Sequence, residues 1–473
     1  MFESIIAPEQ TGAKQIMTSS SQLESKLGTE LEYVFPSIML TRCGAGLPET
    51  RTGPGTVVRN ADGTLELRMF AAERLSLAEA FRSTGQAGEL LPDDAFFSMQ
   101  ASASNGSAWT SERFTLNDNT YVGIAGSDVR ANLPYLTSSS TPFVATKGHS
   151  FELVVHTNAT ILCNEIEVHN GTSSMSKLSL TSPDGSQIAI FQRKGYLLLV
   201  ARNELNPVDA TAVSRLLEGL AIASGSQITI SSEITRSEHL EITKLHSLPL
   251  AKIGKEMWPP FDRRQARSYI WFVTRYAEVA KSDNCPFYDS WLGIIAAWDQ
   301  GLVASSLPLS IGVERMLREL FKDRMQEEST LRDAADAMAG HLATAPVDDQ
   351  MKKRGRGALE SIKRKSPSAA LKALAAEGWF NVELEDAWRS VRNRSAHGSS
   401  IIAGETTSEI QAGLDNLLRC LHLFYALLLV HMRFPLPFVD HSTRGFPDTS
   451  FPGHLFVDVA GPASPSEPAS EAT

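Results

Sequence analysis

A short segment near the end of the chain carries the side chains best suited to chemistry. Residues 392–397 read RNRSAH, and Gly398 follows them. Arginine is a permanent cation that binds a phosphodiester through paired hydrogen bonds, and histidine takes or gives a proton near neutral pH. Arg392 and His397 are therefore candidates for acid–base cleavage of a phosphodiester without a metal.

A helix must position these side chains. Trp388 and Val391 supply its apolar side, and we expect it to begin near Asn381. Asn393 and His397 are four residues apart, which would place them on one helix face. Gly398 predicts the helix end, where the helix dipole favours a protonated imidazole by roughly 0.3–1 kcal/mol.

In RNA cleavage, each of three side chains would have a role. His397 would take the proton of a 2′-hydroxyl or give one to the leaving 5′-oxygen. Arg392 would bind the scissile phosphate, and Asn393 would orient the imidazole or donate to a phosphate oxygen. From the spacing alone, the commoner interpretation is a helix end with a solvated arginine and a capping histidine.

The context of the segment adds to this hypothesis. It lies late in a helical region, before a long apolar helix, and there it resembles the HEPN domains, whose pattern is Arg, a polar residue, a few residues and His. The resemblance covers roughly residues 260–435, and the layout with a β-rich region before it is similar to the ApeA-type anti-phage proteins. It implies a metal-independent endoribonuclease that acts in abortive infection and dimerises through its helical domain.

The resemblance assigns roles to particular residues. Arg392 and His397 match the catalytic pair, and Asn393 matches the polar position. Glu314 is the candidate for an additional acidic residue on an earlier helix; the alternative is a solvent-facing glutamate that pairs with Arg318 at i+4. Ser399 stands where the HEPN partners of nucleotidyltransferase antitoxins carry a tyrosine, so control by tyrosine modification is not expected.

A basic segment precedes the motif. Residues 351–365 contain seven cations and one acid, Glu360, in a chain whose net charge is −10. Such a local positive surface suits RNA phosphates, although most charge runs are simply solvated. The candidate RNA-binding residues are Lys352, Lys353, Arg354, Arg356, Lys363, Arg364 and Lys365, with Arg394 from the motif itself.

Composition limits the other possibilities. A chain of 473 residues with 42% hydrophobic and 21% charged residues is typical of a globular protein of two or three domains. Its four cysteines have no zinc-ligand or redox spacing, and no cofactor or metal site is expected. The N-terminus lacks a secretory pattern, and the apolar run 423–432 is too short to span a bilayer, so we expect a cytoplasmic protein.

The patterns divide the chain into three parts. Residues 1–255 contain alternating runs at 177–180 and 187–191 around a Pro-Asp-Gly turn at 183–185, which predict a hairpin, and an apolar run at 196–200, which predicts a buried strand. One helix is expected after Asp209, because apolar residues from 213 to 220 have the i, i+3, i+4, i+7 spacing. Together the strands favour a β-rich, sandwich-like sensor domain. Residues 256–440 carry apolar stripes at helical spacing, which predict an all-α HEPN bundle. Residues 441–473 are expected to form an extended, disordered tail. The fold class is therefore α+β.

The sequence leaves two functions of different classes, an enzyme and a scaffold. The first is an endoribonuclease toxin that cleaves RNA, with tRNA as a candidate substrate, in response to a phage-derived trigger. Its site would be shared across a homodimer, because one histidine cannot easily be both acid and base. The second is a non-catalytic dimerising scaffold whose β-rich domain binds or senses a ligand. A scaffold has no physical need for the Arg-polar-His set.

Overall fold

The structure divides into two compact units. It is a computed structural model, and it describes residues 31–44, 50–73, 90–117, 121–122, 126–141, 148–169, 172–182, 184–248, 256–282, 286–325, 329–362, 366–396 and 406–459. The first unit, here the sheet unit, comprises Met1–Ser214 and Ile228–Ile253. The second, the helical unit, comprises Arg215–Gln227 and Gly254–Thr473. The chain is thus α+β with a β-rich N-terminal half.

The sheet unit contains fifteen strands within the described ranges, all antiparallel and in one sheet. They are β1 (Leu31–Arg42), β2 (Thr50–Arg59), β3 (Leu65–Ala71), β4 (Phe97–Ser102), β5 (Ala108–Phe114), β6 (Tyr121–Val122), β7 (Ser127–Leu133), β8 (Tyr135–Ser140), β9 (His149–His156), β10 (Glu165–His169), β11 (Thr172–Thr181), β12 (Gln187–Arg193), β13 (Tyr196–Asn203), β14 (Thr229–Arg236) and β15 (Glu241–His246). Their order is β10-β11-β12-β13-β9-β14-β15-β8-β5-β4-β1-β2-β3-β7-β6. The sandwich-like layering stays a prediction.

Side-chain alternation explains the sheet. In β3, every second residue from Leu65 to Ala71 is buried, as a strand with one buried face requires. A bridge between Leu116 and Ala131 joins the chain beyond β5 back to β7. Strands β5, β4, β1, β2, β3 and β7 therefore curl around a common apolar core, to which Phe35 and Val57 belong.

The predicted hairpin and buried strand are confirmed. Strands β11 and β12 pair antiparallel with Leu180 opposite Ile188, and Gly185 takes the positive φ that the turn needs. The strand β13, which continues the chain after this hairpin, is buried along most of its length and pairs with β9 on its other side. The helix α1 (Ala210–Ser224) is also as predicted, with the Asp209 carboxylate accepting a hydrogen bond from the Thr211 amide at 2.9 Å.

The helical unit contributes eight further helices within the described residues. They are α2 (Ala266–Ser282), α3 (Phe287–Trp298), α4 (Leu302–Leu320), α5 (Ser329–Thr344), α6 (Asp349–Ile362), α7 (Pro367–Ala376), α8 (Glu383–Ala396) and α9 (Thr407–His431). Two short strands, β16 (Phe438–Val439) and β17 (Asp448–Thr449), pair after α9. The HEPN identity of this bundle stays a prediction.

Helices α4, α8 and α9 pack together in the helical unit. A side chain at Gly312 of α4 would come within 3.1 Å of both Ile294 on α3 and Phe424 on α9, so a glycine is needed for this close approach. Helix α9 starts with a capping box between Thr406 and Glu409. This three-helix contact provides the rigid base for the candidate site.

Residues 441–459, which were predicted to belong to a C-terminal tail, are part of the folded helical unit. Within 441–459, His441 and Phe451 are buried, and the Asp448 carboxylate accepts a hydrogen bond from Gln265 near the start of the helical unit. The expectation that this stretch is disordered is wrong, because its aromatic residues pack against the bundle. Residues 460–473 lie outside the described part of the chain.

One helix of the described residues, α9, is long and apolar enough to cross a membrane by composition. However, 78% of its most apolar window is buried inside the protein. This burial is typical of the core helix of a soluble protein, as the sequence predicted for this region.

Candidate active site on the helical unit

Arg392 lies in the last turns of α8, and the packing of that helix fixes its position. The Asn381 side chain accepts a hydrogen bond from the Glu383 amide at 3.1 Å, which confirms the expected start of the helix. Trp388 is buried, and its indole Nε1 donates to the backbone oxygen of Ser310 on α4 at 3.0 Å. Arg392, one turn further on, is thereby held beside α4.

The structure brings Arg392 and Glu314 together. The Nε of Arg392 donates to Oε2 of Glu314 at 2.7 Å. The other carboxylate oxygen, Oε1, accepts a hydrogen bond from Nη2 of Arg318 at 2.7 Å. Glu314 therefore pairs with Arg318 at i+4, as the alternative interpretation expected, and it also contacts the arginine of the motif. A catalytic role for Glu314 stays a prediction.

The guanidinium of Arg392 is held from two sides but stays accessible. Its central carbon lies 5.9 Å from the centre of the Trp388 ring, within the range of a cation–π contact. Its side chain is 46% exposed, whereas that of Glu314 is 18% exposed. Within the part of the chain that the structure describes, the two terminal nitrogens of Arg392 have no hydrogen-bond partner and can donate to an incoming phosphate.

The electrostatics define what Glu314 can do. Burial by itself would raise the pKa of its carboxyl group, but hydrogen bonds and charges from Arg318 and Arg392 outweigh burial and lower this pKa below the usual value. Glu314 is therefore ionised at neutral pH. A carboxylate in this state orients Arg392 better than it transfers protons.

His397 lies outside the described residues, as do 398–405. The structure ends α8 at Ala396, so the expected stacking of Asn393 and His397 stays a prediction. Asn393 and Arg394 are exposed on the last turn of α8. Ser395, between them and the helix end, lies 3.1 Å from Ser306 of α4, measured between the two hydroxyl oxygens.

Only part of the basic segment lies within the described residues. Lys352, Lys353, Arg354 and Arg356 lie on α6, and the last three of these are exposed. Helix α6 packs against α5, where Leu342 fills the space beside Gly355. Lys363, Arg364 and Lys365 lie outside the described residues. RNA contact by this segment stays a prediction.

An exposed apolar stripe runs along α4 beside the candidate site. Val303, Leu307 and Ile311 are four residues apart, so they share one helix face, and all three are exposed. Glu314 follows Ile311 by three residues on the same helix. Sequence reasoning missed this stripe, although the i, i+4, i+8 spacing was visible.

The described residues contain no group of three histidine, cysteine, aspartate or glutamate side chains that could hold a metal ion. Sequence reasoning also missed the role of Trp388, which lies four residues before Arg392 and therefore one turn away on the same helix.

Comparisons with protein-family models, with curated proteins and with solved structures give no match to this chain. The resemblance to the HEPN domains therefore depends on the motif at 392–397 and its helical surroundings.

Proposed function

We propose that this protein is a metal-independent endoribonuclease of the HEPN type that cleaves RNA during anti-phage defence. The observation that carries the proposal is the contact between Arg392 and Glu314. An accessible arginine, five residues before His397 in the sequence, is held by a carboxylate and an indole. A solvated surface arginine has no need of two supports from different elements.

The proposed reaction uses the free donors of Arg392. Glu314 holds Nε, so the terminal nitrogens bind two oxygens of the scissile phosphate and stabilise the negative charge that develops there. His397 takes the proton from the 2′-hydroxyl, whose oxygen attacks the phosphorus and displaces the 5′-oxygen. The 5′-oxygen leaves with a proton from a second acid.

A second copy of the chain supplies that acid in the proposed mechanism. One imidazole cannot easily give and take a proton in the same step, and two facing sites would provide two histidines and two arginines. The stripe of Val303, Leu307 and Ile311 supports such a dimer, because an exposed apolar row beside a site is typical of an interface. Under this proposal the active site is shared between the two protomers.

The wider role is proposed from the same resemblance. The enzyme would act in the cytoplasm on RNA, with tRNA as a candidate substrate, and the sheet unit would sense a phage-derived trigger. The exposed cations Lys353, Arg354 and Arg356 would guide the RNA backbone to the site.

Cleavage of total RNA and tRNA by the purified protein, with a chelator present, tests the proposal. Removing an oxyanion donor typically costs about 10²–10³-fold in rate, so Arg392→Ala and His397→Ala should each lose at least about a hundredfold. The matched control is Arg389→Ala, an exposed arginine of α8 whose nearest carboxylate atom lies 3.9 Å away. This variant should cleave at the wild-type rate.

The ends of the products provide an independent readout. Attack by the 2′-hydroxyl leaves a 2′,3′-cyclic phosphate or a 3′-phosphate and a 5′-hydroxyl. A 5′-phosphate would contradict the mechanism. Full activity in either alanine variant, or no cleavage by the wild type together with no effect on growth during phage infection, would favour the dimerising scaffold.

A further inference from the structure

A cavity of the sheet unit lies outside the candidate active site. It has a volume of about 490 Å³, within the range of small-molecule pockets. Strands β1, β5, β8 and β15 and the turn between β4 and β5 line it. We call it the sheet cleft; it has aromatic residues on one side and hydroxyl-bearing residues on the other.

Trp109 forms a fixed aromatic platform at this cleft. Its indole lies 5.0 Å from the ring of Tyr33 and 6.1 Å from that of Phe35, measured between ring centres. Its Nε1 donates to the Ser107 hydroxyl at 2.9 Å, and this hydroxyl donates to the Asn105 side chain at 2.8 Å. Because these contacts hold the indole, its face is preorganised for a ligand.

The strand register places polar side chains in rows next to the platform. Trp109 on β5 stands opposite Ser138 on β8, and Ser138 stands opposite Thr243 on β15. In the next row, Ser140 stands opposite Glu241. Since neighbours in a row point to the same face of a sheet, the ring, three hydroxyls and one carboxylate line one surface.

The carboxylate on this surface already has a cationic partner. The Nε of Arg236, on β14, donates to Oε2 of Glu241 at 2.7 Å, and the same guanidinium also bonds to Glu152. The other oxygen of Glu241, Oε1, has no partner among the residues that the structure describes. The described residues that line the cleft include no lysine, arginine or histidine. A phosphate or carboxylate ligand would therefore find no cation there.

We propose that the sheet cleft binds a neutral sugar, either a single hexose or a short oligosaccharide. The apolar face of a pyranose ring packs on the indole, and its hydroxyls bond to Ser138, Ser140 and Glu241. A quaternary ammonium ion would also suit aromatic rings, but it has no hydrogen-bonding group for Ser138 and Ser140, and Glu241 already bonds to the cationic Arg236. This proposal is independent of the proposed nuclease function.

Titration calorimetry and saturation-transfer NMR with the full-length protein test the proposal. The probes are glucose, galactose, N-acetylglucosamine, maltose, cellobiose and chitobiose, with choline, inorganic phosphate and adenosine for comparison. At least one sugar should bind, and the comparison probes should not. If no sugar binds, or if choline, phosphate or adenosine binds in place of the sugars, the proposal is wrong.

Variants then locate the binding. Trp109→Ala should weaken sugar binding at least about tenfold, because the ring platform is lost. Glu241→Gln, which keeps the shape, should weaken it about fivefold, as expected for one charged hydrogen bond. If Trp109→Ala does not fold, Trp109→Phe keeps a ring, loses the Ser107 bond and should show a smaller loss.

The control variant is Phe70→Ala, an exposed aromatic residue of β3 that does not line the cleft. It should bind sugar with wild-type affinity. Unchanged affinity in the Trp109 and Glu241 variants would show that sugar binds elsewhere and would overturn the proposal.

Discussion

Two arginine–glutamate pairs of the same chemistry stand in opposite surroundings in this protein. In the sheet unit, Arg236 bonds to Glu152, and their side chains are 9% and 1% exposed. In the helical unit, Arg392 bonds to Glu314 at 2.7 Å, and these side chains are far more exposed. A buried pair has lost its hydrating water, so breaking it leaves an unpaired charge, whereas an exposed pair can exchange one partner for another. The two surroundings therefore suit the same ion pair to different uses.

The buried pair is built for structure. Arg236 bridges Glu152 and Glu241, which leaves its guanidinium enclosed by two carboxylates. Even so, Oε2 of Glu152 is buried and lacks a hydrogen-bond partner among the described residues. Arg392 has one carboxylate and an open side. Only Arg392 can donate to a new anion without leaving a buried charge behind.

The largest expected effect is on the buried pair. Arg236→Ala should lower the free energy of unfolding of the sheet unit by about 3–5 kcal/mol, because Glu152 would keep a buried charge without a partner. Native-state hydrogen exchange of amides in β9 and β14 measures this loss. The control is Arg68→Ala, an exposed arginine that pairs with Glu66 and whose loss should cost less than about 1 kcal/mol. Equal losses would show that the comparison between buried and open pairs is wrong.

The second prediction tests whether another protomer covers the Arg392–Glu314 pair. Ile311→Asp places a charge in the stripe on α4 and should weaken dimerisation by about a hundredfold or more, because an unpaired charge would be desolvated at the interface. Sedimentation over a concentration series measures the dimer, and RNA cleavage should fall in parallel. Val382→Asp is the control, an exposed apolar residue outside the stripe. A wild-type protein that is monomeric at every concentration would contradict the shared site.

The third effect concerns Glu314 as the support of Arg392. Glu314→Gln removes the charge that orients the guanidinium, and the cleavage rate should fall about 10–100-fold, as for other supporting residues. The unfolding free energy should change by less than about 1 kcal/mol, since both arginines are solvated. Arg318→Ala, which bonds to the other oxygen, should keep activity within about twofold. A larger loss in Arg318→Ala than in Glu314→Gln would reverse the assignment.

The fourth prediction concerns how the stability of the helical unit depends on pH. It involves His422 and Asp440, whose exposure lies between that of the buried pair and that of the open pair. His422 lies 3.3 Å from Asp440, and burial lowers the pKa of His422 and lowers that of His441 to about 3. The unfolded chain binds protons near pH 6.5 and the folded chain does not, so stability falls as the pH drops from about 6.5 toward 3. Each histidine contributes at most about 1.4 kcal/mol per pH unit.

Unfolding of the helical unit by urea between pH 7 and 5 measures this slope. The His441→Phe variant places an aromatic ring against Tyr425 and Phe446, which already contact His441. It should lose the part of the slope that His441 supplies. An unchanged slope would mean that other groups control the acid sensitivity.

The smallest effect is on the solvated cations of α6. Replacing Lys353, Arg354 and Arg356 together by glutamine should raise KM for RNA about three- to tenfold and leave kcat unchanged. The salt dependence of log KM should also become shallower, by up to about one unit per lost phosphate contact. Gln substitution of exposed Arg263 and Arg264, at the start of the helical unit, is the control. Equal effects in both variants would mean that only net charge matters.

Local signals predicted the elements well. Alternation at 187–191, the Pro-Asp-Gly turn and the i, i+3, i+4 spacing after Asp209 are short-range patterns, and the corresponding hairpin and helix are confirmed. The bridge from Leu116 to Ala131 and the single fifteen-strand order were not predictable, because long-range pairing has no signature within one strand.

The individual residues of the site were predictable, but the contact between them was not. Arg392 and Glu314 were both visible, but 78 residues separate them, and no spacing rule joins them. Their contact depends on how Trp388 docks on α4. The ordered stretch 441–459 was missed because its few aromatic residues, such as Phe451, stabilise it only through contacts with distant parts of the chain.

The end of the helical unit returns to its beginning. The Val439 amide donates to the Pro260 oxygen at 2.9 Å, and Gln265 bonds to Asp448 at the same distance. The last described strands therefore hold the segment that leads into α2, although 183 residues separate Gln265 from Asp448 in the sequence. A protein cut short before Val439 would lose both contacts, so the start of α2 should open locally more often than in the full chain.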